Sequence, residues 1–159
     1  MRAMIAGVCL VAACGAAPAW AQAGPGPAAN AAAMRWRLLG PMRAGRVSAV
    51  AGVPGDASTY YIGNPEGGIF KTTSGGTVWT PIFDHEPVSS IGAIAVAPSD
   101  PNIVYVGTGD VVNVGGAVNQ GNGVYKSTDA GRTWRHIGLD DSRHIGGIVV
   151  DPHDPNVVV

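Results

Sequence analysis

Cysteine is nearly absent from this 159-residue chain, and the two present, Cys9 and Cys14, both fall in an apolar N-terminal stretch. A chain cut after that stretch keeps no thiol, which excludes a disulfide scaffold and any zinc site built on thiolates. Charge is scarce as well. Lys and Arg total 10 against 11 Asp and Glu, a net charge of −1, with no basic cluster. Nucleic acid and anionic membrane surfaces are therefore not expected as partners. No apolar run reaches the ~20 residues that a spanning helix needs, so no transmembrane span is expected. The glycine-rich "GGAVNQGNG" (115–123) sits between strand-like runs and opens no helix, so it lacks the geometry that cradles phosphate. No cofactor motif and no metal-ligating cluster stands out, and neither is expected.

The N-terminus reads as an export signal. Arg2 is followed by an apolar run from Ala3 to about Ala17 and by Ala19-Trp20-Ala21, an A-x-A site cut before Gln22. Residues 1–21 are thus a signal peptide, and the expected location is periplasmic or extracellular. "VAAC" (11–14) offers an alternative, a lipoprotein box in which Cys14 carries lipid and tethers the protein to the outer membrane. The A-x-A site follows the fuller apolar run, which favours soluble export. Residues 22–34, rich in Ala, Gly and Pro, read as a linker.

What the chain has in quantity is turn residues, 24 Gly and 12 Pro, between short Val/Ile/Tyr runs, the pattern of an all-β fold. It also repeats. "VSAVAGVPGDASTYYIG" (47–63) aligns without a gap on "IGAIAVAPSDPNIVYVG" (91–107), and "IGGIVVDPHDPNVVV" (145–159) aligns on the second copy. "GGIFKTTSGGTVW" (67–79) aligns on "NGVYKSTDAGRTW" (122–134), with an insertion after Asp110 making the second unit longer. Each unit reads as four strands separated by turns, the blade of a β-propeller. Blade one is expected at about 46–84, blade two at about 91–139, and a third beginning near 145. "WRLLG" (36–40) matches the fourth strand "WRHIG" (134–138) and reads as an orphan closing strand. Propellers close with about 4–8 blades. Residues 35–159 are accordingly expected to be an incomplete sector, the N-terminal part of a longer protein.

"STDAGRTW" (127–134) looks at first like a chemical site. Its residue types argue for a turn. Asp129 can accept backbone amides, with Ser127 and Thr133 hydroxyls adding to the network. Gly131 permits positive φ, and Trp134 brings a large face to bury. The first copy, "TTSGGTVW", has Ser74 and Val78 in place of Asp129 and Thr133, and a catalytic acid would not be expected to recur blade by blade. The motif also lacks the further oxygen ligands of an EF-hand loop. With the paired "AVAPSDPNIVYVGTGD" and "VVDPHDPNVVV" strands, it resembles the Asp-box (BNR-repeat) propeller superfamily. Within that superfamily the chain is similar to the sortilin N-terminal domain and to the glycosyl-hydrolase-like propellers of exported bacterial proteins.

Strand order assigns the loops to two ends. Turns one-to-two and three-to-four share one end, and loops two-to-three and four-to-one share the other, the channel mouth where propeller ligands bind. The mouth loops carry Glu66 and Asp110 at equivalent positions of adjacent blades. Arg43, Arg46, His85, Glu86, Asp140, Asp141, Arg143 and His144 lie in the four-to-one loops, and Arg43, Arg46, Arg143 and His144 are the candidate ligand-binding residues. Three functions compete with the plain reading of solvated surface charges. The first is a sortilin-like mouth binding a peptide, protein or glycan. The second is a glycoside hydrolase with Glu66 and Asp110 as its carboxylates, which would stand about 5–5.5 Å apart for retention or ~6.5–9.5 Å for inversion. The xyloglucan-cleaving enzymes this resembles carry an Asp just before a Gly-Gly, where this chain has Pro65 in "NPEGG". The third is a sialidase, for which Arg46 in "GRVSAV" lacks the flanking aromatic and proline.

Overall fold

The computed structural model describes residues 45–110 and 119–159, all within one unit, Met42–Val159. The leader with Cys14, the linker, the 36–40 stretch and Arg43 lie outside the described residues. Two four-stranded antiparallel sheets follow one another along the chain. The first comprises β1 (Ala49–Val53), β2 (Asp56–Asn64), β3 (Gly68–Thr72) and β4 (Thr80–Pro81). The second comprises β5 (Ile91–Val96), β6 (Val104–Thr108), β7 (Val124–Ser127) and β8 (Arg135–Gly138). Strand order in space follows order in sequence in both sheets. This is the all-β architecture of four-stranded blades that the repeats imply. Beyond them, Val150 bridges Val158, with backbone bonds between Val149 and Val159 on one side and Asp151 and Val157 on the other.

Burial follows the strand period. In β2, Thr59, Tyr61 and Gly63 are buried on one face while Tyr60 and Ile62 on the other are half-buried. In β6 every residue is buried, because both of its faces are covered. Val104 and Val106 join Tyr61, Ile69, Phe83, Ile91 and Ile94 in a core shared with the first sheet. Tyr105 packs instead with Ala97 and Val150 of the 149–159 hairpin. Each such Ile, Val or Tyr contributes roughly 1.5–3 kcal/mol by leaving water.

Glycine sets how closely the sheets approach. Gly63 pairs with Ala49 and Ile69, and a side chain there would overlap Ile91 and crowd Ile94 of the second sheet. Gly107 stands in the same relation to Ile145 and Ile148. Polar contacts reinforce the packing at the opposite edge. Tyr61 OH and Lys71 Nζ both donate to the Ala130 carbonyl, at 3.1 and 2.9 Å, and Lys71 lies over the Tyr61 ring. Burial lifts the Tyr61 phenol to about 12, so it stays protonated and able to donate at neutral pH. Tyr105 and Lys126 repeat the arrangement one sheet on, reaching Pro155 O at 2.8 Å and Asn156 Oδ1 at 3.0 Å.

The turns are built from side chains that take up free amides. Asp56, Asp100 and Asp154 each accept the N–H two residues on, which closes the one-to-two turns. In the 127–134 turn, Gly131 N–H donates to Ser127 Oγ at 2.8 Å, and Thr133 donates its N–H and its hydroxyl to Asp129 at 2.8 and 2.6 Å. Gly131 (φ 87°) and Ala130 (φ 58°) are left-handed, as Gly76 and Gly75 are in the first sheet. There Ser74 Oγ accepts the Val78 N–H and shares a bond with Thr72 Oγ1, but Val78 has no hydroxyl to add, a weaker version of the same turn. Trp134 donates its indole N–H to Ile82 O at 2.8 Å and meets Phe83 edge-on, so this turn also docks onto the end of the first sheet.

Two outcomes test this account. Gly63→Ala should destabilise the protein by roughly 1–3 kcal/mol through overpacking, and Ile91→Ala in the same chain should recover part of that loss. Strictly additive urea midpoints would refute the close approach. Hydrogen bonds from Thr133 first, and then from Ser127 and the Arg132 amide, hold the Asp129 carboxyl at about 2, down from 3.8. A depressed carboxylate contributes stability that is present above pH 3.8 and lost as pH falls through about 2. Asp129→Ala should therefore cost about 1 kcal/mol at pH 7 and reduce the loss of stability between pH 4 and 2, measured by thermal melts across that range.

Candidate functional site

The meander brings four separate segments to one end of the two sheets. They are the residues before β1 (Arg46), the β2–β3 loop (64–67), the exit of β6 (Asp110) and the segment 119–123 that leads into β7. The β2–β3 loop turns at Gly68, whose φ of 67° suits glycine and whose N–H donates to Ser89 O at 2.8 Å. That bond ties the Glu66 loop to the connection between the sheets. Glu66 itself is exposed.

Asp110 is in a different environment. Only 2% of it is accessible, and its carboxylate pairs with the Arg46 guanidinium. The backbone around it is held on both sides. Asp110 N–H donates to Asn119 O at 2.9 Å, and Gly109 N–H donates to Ser90 O at 2.9 Å. A carboxylate so far from water needs a compensating cation, and Arg46 supplies it from the preceding sheet. The Arg46 side chain stays 36% exposed, so the pair presents its cationic half to solvent and hides its anionic half.

Asn119 joins the two carboxylate loops. Its Nδ2 donates to Glu66 Oε1 at 3.1 Å and lies 3.4 Å from Pro65 O, while its carbonyl accepts from the Asp110 N–H and from Ser90 Oγ at 3.1 Å. Neither Asn119 nor Ser90 stands out in the sequence. Asn119 belongs to the insertion after Asp110, which has no counterpart in the first repeat to align with.

The structure thus links the Glu66 loop to the Arg46–Asp110 pair through Asn119, across the boundary between the sheets. Arg143 and His144 lie alongside with exposed side chains, and the loop meets the site through its backbone, Arg143 O accepting from Gly121 N–H at 2.8 Å. Asp140 lies 3.4 Å from His136 Nε2 instead. Among the described residues no group of three or more His, Cys, Asp or Glu converges as a metal site, and no helix is long and apolar enough to cross a membrane. The arrangement offers one accessible carboxylate held by the Asn119 amide, and a separate guanidinium paired with a buried acid. An accessible carboxylate of this kind can give or take a proton.

The buried pair has an asymmetric consequence. Arg46→Ala takes the counter-charge from an acid that water does not reach, at a cost of roughly 1–3 kcal/mol. Asp110→Asn removes the buried charge and keeps an amide oxygen in the same place to accept from Arg46, and should cost less. Urea unfolding of the two variants giving the opposite order would contradict this electrostatic assignment.

Comparison with known proteins points in one direction. Over 104 residues the chain is 33% identical to an oligoxyloglucan-reducing end-specific xyloglucanase of Emericella nidulans, a match covering 64% of this chain and 12% of that enzyme. The crystal structure of an ancestral GH74 enzyme superposes with a TM-score of 0.55 at 26% identity, covering 71% of this chain and 16% of that one. A GH74 enzyme of Niastella koreensis superposes more loosely, with a TM-score of 0.49 at 26% identity over 64% of this chain and 15% of its own. No family model matches the chain. The chain therefore spans only a small part of the length of the proteins it matches. The xyloglucanase and the ancestral GH74 enzyme favour the glycoside-hydrolase expectation over the sortilin-like, peptide-binding one, and what they support is a sector of a glycoside-hydrolase-like β-propeller.

Proposed function

We propose that this chain forms part of the glycan-binding mouth of an exported β-propeller glycoside hydrolase acting on xyloglucan-type β-glucan. The similarity over 104 residues to a xyloglucanase carries the reading, and the exposed Glu66, held by the Asn119 amide, supplies chemistry that fits it. The 127–134 turn, with the Asp-box pattern, is then scaffold at the far end of the sheets.

The two carboxylates divide the work. Glu66 is the proton-transferring group, since it is accessible and Asn119 holds Oε1, leaving Oε2 available to a glycosidic oxygen or a water. Asp110 is buried under Arg46 and cannot reach a sugar ring while that pair persists. Its part is to fix the guanidinium at the rim, where the donors suit sugar hydroxyls. In "NPEGG" Glu66 is the carboxylate that this loop offers.

The test is hydrolysis by the full-length protein, from its complete reading frame, on xyloglucan oligosaccharides, unbranched β-glucans and sialosides. Turnover of xyloglucan oligosaccharides should fall about 10²–10⁴-fold in Glu66→Gln, with the fold intact by circular dichroism. Undiminished turnover in that variant would remove Glu66 from the chemistry, and a folded protein inactive on every glycan would sink the hydrolase reading.

A further inference from the structure

We propose that Asn119 is the positioning residue of this mouth, an amide that couples the Glu66 loop of the first sheet to the Asp110 strand of the second. The structural half stands by itself, and the effect on turnover rests on Glu66 being the working carboxylate of the proposed function. Asn119 makes four polar contacts, two from each end. Its side-chain amide reaches Glu66 Oε1 and Pro65 O, and its carbonyl accepts from Asp110 N–H and from the hydroxyl of Ser90, which is 2% exposed. The contacts on the second-sheet side are thus made to residues that do not move freely. The contacts on the first-sheet side reach a loop whose carboxylate is exposed and has three side-chain torsions to order.

Glutamate on an exposed loop samples many rotamers, and only some place an oxygen where a bound sugar needs it. A donor anchored to the neighbouring sheet selects among them. The chemistry of the link calls for an uncharged donor at this position. An amide gives an N–H to the carboxylate while its backbone carbonyl serves the other sheet. A carboxylate of the same shape would accept only and would face Glu66 with like charge, and a leucine would fill the space with no bond at all. Asn119 also belongs to the insertion that follows Asp110, so that insertion is anchored on the Glu66 loop at this residue.

The experiment uses Asn119→Asp and Asn119→Leu in the full-length protein, each in the parent and in the Glu66→Gln background. In the parent, both variants should lower the melting temperature, with Asn119→Asp the more damaging. In the Glu66→Gln background the penalty of Asn119→Asp should largely vanish, because the introduced amide can donate to the introduced carboxylate. An Asn119→Asp protein that folds only in that background supports the link equally. Amide exchange across 63–68 should quicken about 10-fold in Asn119→Leu, and where xyloglucan oligosaccharides are hydrolysed, kcat should drop about 10–100-fold with KM little changed. Equal melting penalties in both backgrounds, or failure to fold in both, would overturn the proposal. Coupling in the melts without turnover on any glycan would uphold Asn119 and reject the hydrolase.

Discussion

Everything at the mouth depends on how closely the second sheet can settle onto the first. Gly63 lies where a methyl group would already overlap Ile91, so the absence of a side chain allows the first strand of the next sheet to come down onto β2. The space this creates is filled by Tyr61, Ile69, Phe83, Ile91, Ile94, Val104, Val106 and Tyr125, drawn from both sheets. Gly107 repeats the relation with Ile145 and Ile148, so one local rule governs two successive interfaces. Where each loop stands relative to its neighbour follows from that spacing. The Arg46–Asp110 and Glu66–Asn119 contacts both cross this boundary, and neither would survive a displacement of a few ångströms.

The two ends of the sheets solve different problems. At the turn end, Ser, Thr and Asp side chains saturate backbone amides, Tyr61 and Lys71 latch onto Ala130, and Trp134 reaches back to Ile82. Apart from the Trp134 bond, these are short in sequence or repeat from sheet to sheet, and the turn's own donors hold the Asp129 carboxylate at about 2. At the mouth end the polar groups are singular. One acid is buried beneath a guanidinium, another is exposed and held by an amide, and the insertion after Asp110 occurs in the second repeat alone. Repetition marks scaffold here, and its local breakdown marks where the two carboxylates come to differ.

Buried and exposed carboxylates also explain why equivalent positions need not share a role. Glu66 and Asp110 occupy matching places in the two repeats, each three residues past the glycine of its second strand. Packing separates them. Asp110 follows a strand covered on both faces, so it is drawn under Arg46, whereas Glu66 stands on a loop at the tip of a strand whose second face is only half-covered. The same residue class at the same repeat position thus becomes an internal anchor in one case and an accessible acid in the other.

The sequence by itself determined the antiparallel four-stranded units, their order and the end at which each loop emerges. Alternation of period two, turn residues and gapless repeats all act over a few neighbouring residues, so they are legible without knowing what packs where. It also placed Arg46, Glu66 and Asp110 at one end by counting strands. Only the tertiary structure decided that Asp110 is buried and paired with Arg46, 64 residues away, and that Asn119 reaches Glu66 across 53 residues. Such contacts arise where two sheets meet, and their partners lie far apart in the chain. No local pattern encodes them, because burial and pairing are properties of the interface and exist only once Gly63 and its neighbours have let the sheets close.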